Sequence, residues 1–427
     1  MNATAQPYEP LDIQSLPARL SSVAAVTERL GAESASWRVR EVGDGNLNLV
    51  FIVESDKGSV VVKQALPYVR LVGDSWPLPL SRSFFEYHAL VRQQRRAPGT
   101  VPDIFHFDEK QALIVMQYLS PHHILRQSLQ QGIKHDGLGI MLGKFCADTL
   151  FKGSDFSMDA AERKQDVALF AGNVALCDIT ESLVFTDPFF DAPMNRHTSP
   201  QLDSQVEQLR SDIDAKLAAQ RMKQAFCSCA ETLLHGDLHT GSVMVSEGDA
   251  KVIDPEFALY GPMGFDIGML IGNFIMAWCA QPGYVAAAGT RDDYRQWIFS
   301  VIKDIWSSFT ERFTQLWMQE RAGILFPASM FEDQEHHDAV RIALSGQLEH
   351  IWTDAMGFCG CEIIRRTLGL AHIIEYDDIQ DDELRASCES IGLHIARELL
   401  VDRANIKTVD EALDVILAIS KDAGAKI

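Results

Sequence analysis

From about residue 122 to its end this chain is patterned mainly as helix, with one interruption: LLHGDLHTGSVMVSEGDAKVIDPEF at 233–257, two apolar runs around a polar turn. Short apolar runs bounded by Gly, Ser and Asp read as strand. A small β element inside a helical half, following a strand-rich N-terminal part, makes the chain α+β.

The N-terminal part carries the other strands. Residues 12–31 are helical in pattern and close on Gly31. Strands are expected over Trp37–Val42, Leu47–Glu54 and Ser59–Lys63, the last two joined by a hairpin turn at Ser55-Asp56-Lys57-Gly58. RSFFEYHALVR at 82–92 puts Phe85, Ala89 and Leu90 on the inner side of a helix. ALIVMQY at 112–118 is a buried strand, and Pro121 then breaks the pattern. The expected organisation is a β-rich N-lobe over residues 1–118, a hinge near 117–121 and a larger, mainly helical C-lobe over 119–427. A length of 427 residues exceeds one hydrophobic core and suits two lobes.

The net charge of −21 argues against a general nucleic-acid or anionic-membrane surface, because both partners are polyanions. A local cluster of Lys, Arg and backbone N–H groups still suits a small anionic ligand. The eight cysteines include CSC at 227–229 and CGC at 359–361, but no CxxC pair and no His cluster at zinc-finger spacing. Buried, reduced thiols of a cytoplasmic protein are expected. MNATAQPYEPLDIQSL lacks the basic region and apolar core of a secretory signal. Met263–Ala280, the most apolar stretch, is interrupted by Asp266, Asn273 and glycines, and reads as a buried helix.

Four motifs carry candidate chemistry. Gly43-Asp44-Gly45-Asn46-Leu47-Asn48 lies between two strands, where glycines let backbone N–H groups approach phosphate oxygens. It is neither GxGxxG nor a Walker sequence, and an ordinary turn has the same composition. Lys63 ends the VVVK strand. Such a lysine is usually a solvated edge charge, but Glu86 in the following helix offers the carboxylate that a buried ammonium near phosphates needs. Within His235-Gly236-Asp237-Leu238-His239-Thr240-Gly241-Ser242, Asp237 suits the task of orienting a substrate hydroxyl and accepting its proton as it attacks a γ-phosphate. The bland alternative is a loop acid in a turn. Val252-Ile253-Asp254-Pro255-Glu256-Phe257 ends an apolar run in carboxylates at i and i+2, a donor set for Mg²⁺ shared with substrate phosphates, or else a strand end with solvated acids. Farther on, Arg365 and Arg366 are helix neighbours separated by a rotation of about 100°, so the two are not expected to share one face.

HGDLH followed by an ID-acid motif resembles the kinase-like phosphotransferases, which include aminoglycoside, choline and homoserine kinases. Longer strings narrow this. HGDLHTGS at 235–242, DPEFALYGPMGFDIG at 254–268 and CEIIRRTLGLAH at 361–372 resemble the methylthioribose kinases, and the likeness spans nearly the whole chain. It implies the two-lobed protein-kinase-like fold and a homodimer. It implies that Asn46 and Lys63, the latter held by Glu86, contact ATP phosphates, and that the backbone of Gln117, Tyr118 and Leu119 recognises adenine. Asp254, Pro255 and Glu256 would border the nucleotide, with Asp254 and Glu256 as metal ligands. Asp237 would be both substrate contact and catalytic base, and Arg365 and Arg366 would reach the sugar. Asp266 would brace the catalytic loop. The wider group carries Asn five residues after the catalytic Asp; here that position is Ser242, and Glu256 is implied to supply the missing oxygen. The implied reaction moves the ATP γ-phosphate to the anomeric hydroxyl of 5-methylthioribose, in methionine salvage. Two alternatives stand beside it: a kinase for another alcohol (homoserine, choline or an aminoglycoside), and a catalytically dead nucleotide-binding protein.

Overall fold

The computed structural model describes residues 8–43, 47–69, 73–285 and 289–424. The chain divides into two compact units: Met1–His122 with Asn173–Leu176 and Lys251–Ala258, and His123–Gly172 with Cys177–Ala250 and Leu259–Ile427.

The first unit is built on a sheet. Helices α1 (Leu16–Leu20) and α2 (Ala24–Leu30) precede strands β1 (Arg38–Glu41), β2 (Asn48–Glu54) and β3 (Ser59–Ala65). A two-stranded ribbon, β4 (Tyr68–Val69) and β5 (Gly73–Pro77), leads to helix α3 (Arg82–Arg96), then to β6 (Ile104–Asp108) and β7 (Leu113–Gln117). The five-stranded sheet runs β1-β2-β3-β7-β6, antiparallel throughout. Register places Phe51, Val62 and Val115 side by side. Alternation then sends Phe51, Val53, Val60, Val62, Leu113 and Val115 to one face, where they pack with Leu16, Leu20, Val26 and Leu30 of the two N-terminal helices. Lys63 belongs to the opposite face by the same alternation. The hairpin between β2 and β3 closes as expected, with the Ser55 N–H donating to the Gly58 carbonyl at 2.9 Å. Strand β6 had no counterpart in the sequence reading, because IFHFD is half-buried along its length and lacks clean alternation.

The second unit is mainly helical. Its elements are β8 (His123–Ile124), α4 (Leu125–Gln131), α5 (Leu138–Lys152), α6 (Ala160–Phe170), α7 (Val174–Leu183, whose residues up to Leu176 belong to the first unit), α8 (Asp203–Ser211) and α9 (Ile213–Ser228). Then come β9 (Thr232–Leu233), β10 (Val243–Ser246), β11 (Asp249–Val252, whose last two residues belong to the first unit), β12 (Tyr260–Gly261), α10 (Gly264–Ala280) and α11 (Asp292–Gln319). The chain ends with α12 (His337–Leu368), α13 (Ile374–Asp377), α14 (Asp382–Val401) and α15 (Val409–Gly424). Every residue of α10 is buried, as its apolar sequence required. Among the described residues no single helix is long and apolar enough to cross a membrane. Helix α10 lies directly on α12: a Cβ added at Gly268 would stand 2.4 Å from the Ala355 carbonyl oxygen and 2.9 Å from the Cys359 nitrogen. All eight cysteines are free. Five are buried, but Cys227 is exposed at the end of α9 and Cys177 and Cys229 are partly so, which corrects the expectation of buried thiols.

Candidate active site

In the first unit, Lys63 emerges from β3 toward α3, whose buried residues Phe85, Glu86, Ala89, Leu90 and Gln93 follow helical spacing. Lys63 Nζ donates to Glu86 Oε1 at 2.8 Å and also pairs with Asp254 Oδ1. Asp254 and Glu256 come from the returning segment 251–258. That segment is tied down by the Val252 N–H on the Thr100 carbonyl at 2.8 Å, and by Asn173 Nδ2 on the carbonyls of Glu256 (2.9 Å) and Ala258 (3.0 Å). Asp254 adopts φ 70°, a left-handed conformation that a non-glycine residue takes only when its surroundings hold it there. Glu256 is buried; its Oε2 accepts from Asn48 Nδ2 at 3.4 Å and lies 3.2 Å from Arg82 Nε, close enough to pair although that N–H does not point at it. Oxygens of Glu86, Asp254 and Glu256 all lie within 4.8 Å of one another.

Three carboxylates against two cations leave this cluster short of positive charge. Desolvation raises the Glu86 carboxyl; Lys63 offsets part of that rise, and Asp254 and Glu256 add to it. Desolvation, then Asp254, raises Glu256 likewise, against the pull of Lys63 and Arg82. Desolvation works against the Lys63 ammonium, but Asp254, Glu86 and Glu256 together outweigh it and keep the side chain charged. A hard divalent cation fits such a set of oxygen donors. Asn46 lies outside the described residues. Gln117 ends β7, with its N–H on the Asp103 carbonyl at 2.8 Å and its Oε1 accepting from the Asp103 N–H at 3.2 Å. The Tyr118 hydroxyl accepts from Arg40 Nη2 at 3.0 Å, Leu119 is buried, and Pro255 is buried between the two acids.

In the second unit, the loop 234–242 follows β9. Gly236 takes φ 88°, which its missing Cβ permits. Asp266, in the first turn of α10, accepts the N–H groups of His235 (2.7 Å) and Gly236 (3.0 Å), the bracing expected of it. Ser242 Oγ donates to the Asp237 carbonyl at 3.2 Å. Asp237 is half-buried, and its Oδ1 accepts from Nη2 of Arg365 (2.8 Å) and of Arg366 (3.2 Å). His239 Nε2 lies 3.3 Å from Asp237 Oδ2. His239 Nδ1 accepts the Gly241 N–H at 2.9 Å, so the neutral ring carries its proton on Nε2.

Desolvation alone would raise the Asp237 carboxyl, but His239, Arg366 and Arg365 hold it well below the usual carboxylate range. Desolvation pulls His239 down to about 4 in spite of Asp237. At neutral pH the ring is therefore uncharged and acts on Asp237 through its Nε2 hydrogen bond, while the arginines supply the positive charge beside the carboxylate. A carboxylate this acidic is a weak base; it acts on a hydroxyl chiefly by orienting it and by its charge.

The two arginines overturn the expectation that helix neighbours diverge. Their long side chains bend to a common oxygen because Glu362, one turn earlier and fully buried, pairs with both: with Arg365 Nε through Oε2, and with Arg366 Nε through Oε1 at 2.9 Å. Asn273 Nδ2 donates to the same Oε1 at 2.8 Å and its Oδ1 accepts from Arg126 Nη2 at 3.2 Å. Arg126 Nε lies 3.2 Å from Glu375 Oε2. Arg82, Arg126, Asn273, Glu362 and Glu375 are not among the candidates that the sequence motifs marked. Glu362 alone had a local signal, its i+3 and i+4 spacing to the arginines; the rest are distant in sequence from what they touch.

The model of the phosphotransferase enzyme family matches residues 38–299. A methylthioribose kinase from Escherichia coli is 42% identical over 407 residues, covering 95% of this chain and 97% of that protein. Methylthioribose kinase 1 from Oryza sativa subsp. japonica is 39% identical over 420 residues, covering 98% and 97%. Among solved structures, a choline kinase from Cryptosporidium parvum superposes with a TM-score of 0.46 at 11% identity, covering 94% of this chain and all of that one.

Proposed function

This chain belongs to the methylthioribose kinases, within the phosphotransferase enzyme family, and from that premise we propose that it transfers the γ-phosphate of ATP to the anomeric hydroxyl of 5-methylthioribose, giving the 1-phosphate and ADP in methionine salvage. The observation that supports this best is the convergence of Arg365 and Arg366 on Asp237 Oδ1.

In this reading the residues of the first unit serve the nucleotide. Lys63, steadied by Glu86, binds ATP phosphates together with Asn46, and the backbone of Gln117, Tyr118 and Leu119 takes the adenine. Asp254 and Glu256, flanking Pro255, hold Mg²⁺; their closeness to Glu86 and the excess of negative charge support it. Bound there, the ion supplies positive charge to the phosphate oxygens. The residues of the second unit serve the acceptor. Asp237 accepts a hydrogen bond from the anomeric hydroxyl, whose oxygen forms the new bond to the γ-phosphorus. The bond from that phosphorus to the β–γ bridging oxygen breaks, ADP leaves, and the hydroxyl proton passes to Asp237. Arg365 and Arg366 lend fixed positive charge to the phosphoryl oxygens and hold the sugar.

The same reading makes the protein a cytoplasmic homodimer with no nucleic-acid or membrane partner; the net charge of −21 supports the latter. ADP release with and without 5-methylthioribose, homoserine, choline and an aminoglycoside tests the assignment. Turnover that depends on methylthioribose is the expected result, and turnover with another of these alcohols, or none, defeats it.

A further inference from the structure

Nothing in the reaction outlined above gives Glu362 a task, yet its carboxylate is fully buried and meets three donors: Arg365 Nε, Arg366 Nε and Asn273 Nδ2. Each arginine spends one edge of its fork on two acids, Nε on Glu362 and Nη2 on Asp237. Among the described residues neither Nη1 has a hydrogen-bond partner. The chain of contacts continues through Asn273 to Arg126, which also reaches Thr240 Oγ1 of the catalytic loop at 3.4 Å. Asn273 shares α10 with Asp266, which braces the loop, and Glu362 shares α12 with the arginines.

We propose that Glu362 is a positioning residue, resting on the functional reading above: it bends two divergent helix arginines onto one line of aim beside Asp237, so that their remaining N–H groups present a two-pronged cradle to the sugar and the moving phosphoryl group. Asn273 sets the position of Glu362 and so ties that aim to the helix that braces the loop. Two arginines and two carboxylates also make this group neutral overall, so Asp237 stays ionised without being locked away. An error of about 1 Å in such a cradle is enough to cost roughly 100-fold in rate.

Glu362→Asp keeps the charge and draws the carboxylate back by one methylene. The expected result is a fall of more than tenfold in kcat/KM for methylthioribose, with KM for ATP within twofold of wild type and the thermal midpoint little changed. Asn273→Ser, which leaves both Arg–Glu pairs, should show the same pattern more weakly and serves if the first variant does not fold. A crystal structure of the variant reads the aim directly, with at least one guanidinium displaced from Asp237 Oδ1. Wild-type kcat/KM, or both guanidiniums unmoved, overturns the proposal. A wild-type enzyme that ignores methylthioribose would defeat the functional reading instead, while the variant structure would still decide the role of Glu362.

Discussion

Asp237 draws its properties from three side chains that lie near it only in the folded protein. In the proposed reaction Asp237→Asn removes the charge that orients the hydroxyl and the acceptor of its proton, and so should lower kcat by ~10²–10⁴ while ATP affinity, read by calorimetry, stays near wild type. Activity within a few-fold of wild type would remove Asp237 from the chemistry. His239 adds a pH signature. Its folded pKa is depressed to about 4, so between that value and the unfolded one, ~6.5, the unfolded chain binds more protons than the folded one. Stability from this ring is complete above pH ~6.5 and falls as pH drops toward 4, by at most ~1.4 kcal/mol per pH unit. Denaturant titrations at pH 7, 6 and 5 should show a shallower loss for His239→Gln than for wild type; parallel slopes would mean the ring is not held neutral.

At the scale of elements, the crossing of α10 and α12 is what presents the arginines. Gly264 and Gly268 let the two backbones touch, since an added Cβ at either would meet atoms of α12 closer than 3.0 Å. Gly268→Ala must push the helices apart or strain one of them, a change that typically costs about 1–3 kcal/mol. Because α10 carries Asp266 and Asn273 while α12 carries Glu362, Arg365 and Arg366, the same substitution should lower kcat/KM for the sugar more than that for ATP. Equal losses on both substrates, measured with the thermal midpoint, would show that the crossing serves stability alone.

For the whole molecule, the first unit is not one stretch of chain. Residues 251–258 return to it with Asp254 and Glu256, and residues 173–176 return with Asn173. A fragment of residues 1–122 therefore lacks two of the three clustered carboxylates and removes Glu256, the carboxylate beside the fully buried Arg82 side chain, which keeps its hydrogen bonds to the Leu47, Leu66 and Pro79 carbonyls and to Asn48 Oδ1. Losing one partner of such a buried pair costs about 3–5 kcal/mol. The fragment should neither unfold cooperatively nor bind ATP with Mg²⁺; nucleotide binding at wild-type affinity would show that the returning segment is dispensable.

Local chemistry made much of this legible from the residues. Alternation in LNLVFIVE and SVVVK marked the sheet, helical spacing marked α3, and unbroken apolarity marked α10 as buried. HGDLHTGS, DPEFALYGPMGFDIG and RRTLGLAH pointed to the family and to Asp237, Asp254, Glu256 and the arginines. Lys63 with Glu86 was readable too, since strand and helix periods fix which way each points. Tertiary structure alone decided which groups meet across long separations: Arg82 with Glu256, Asn273 with Glu362, and Arg126 with Glu375. It also decided that Arg365 and Arg366 converge. Backbone geometry sets the directions of their Cβ atoms, but three flexible methylenes follow, and where those end is settled by a buried carboxylate that must find partners for its charge.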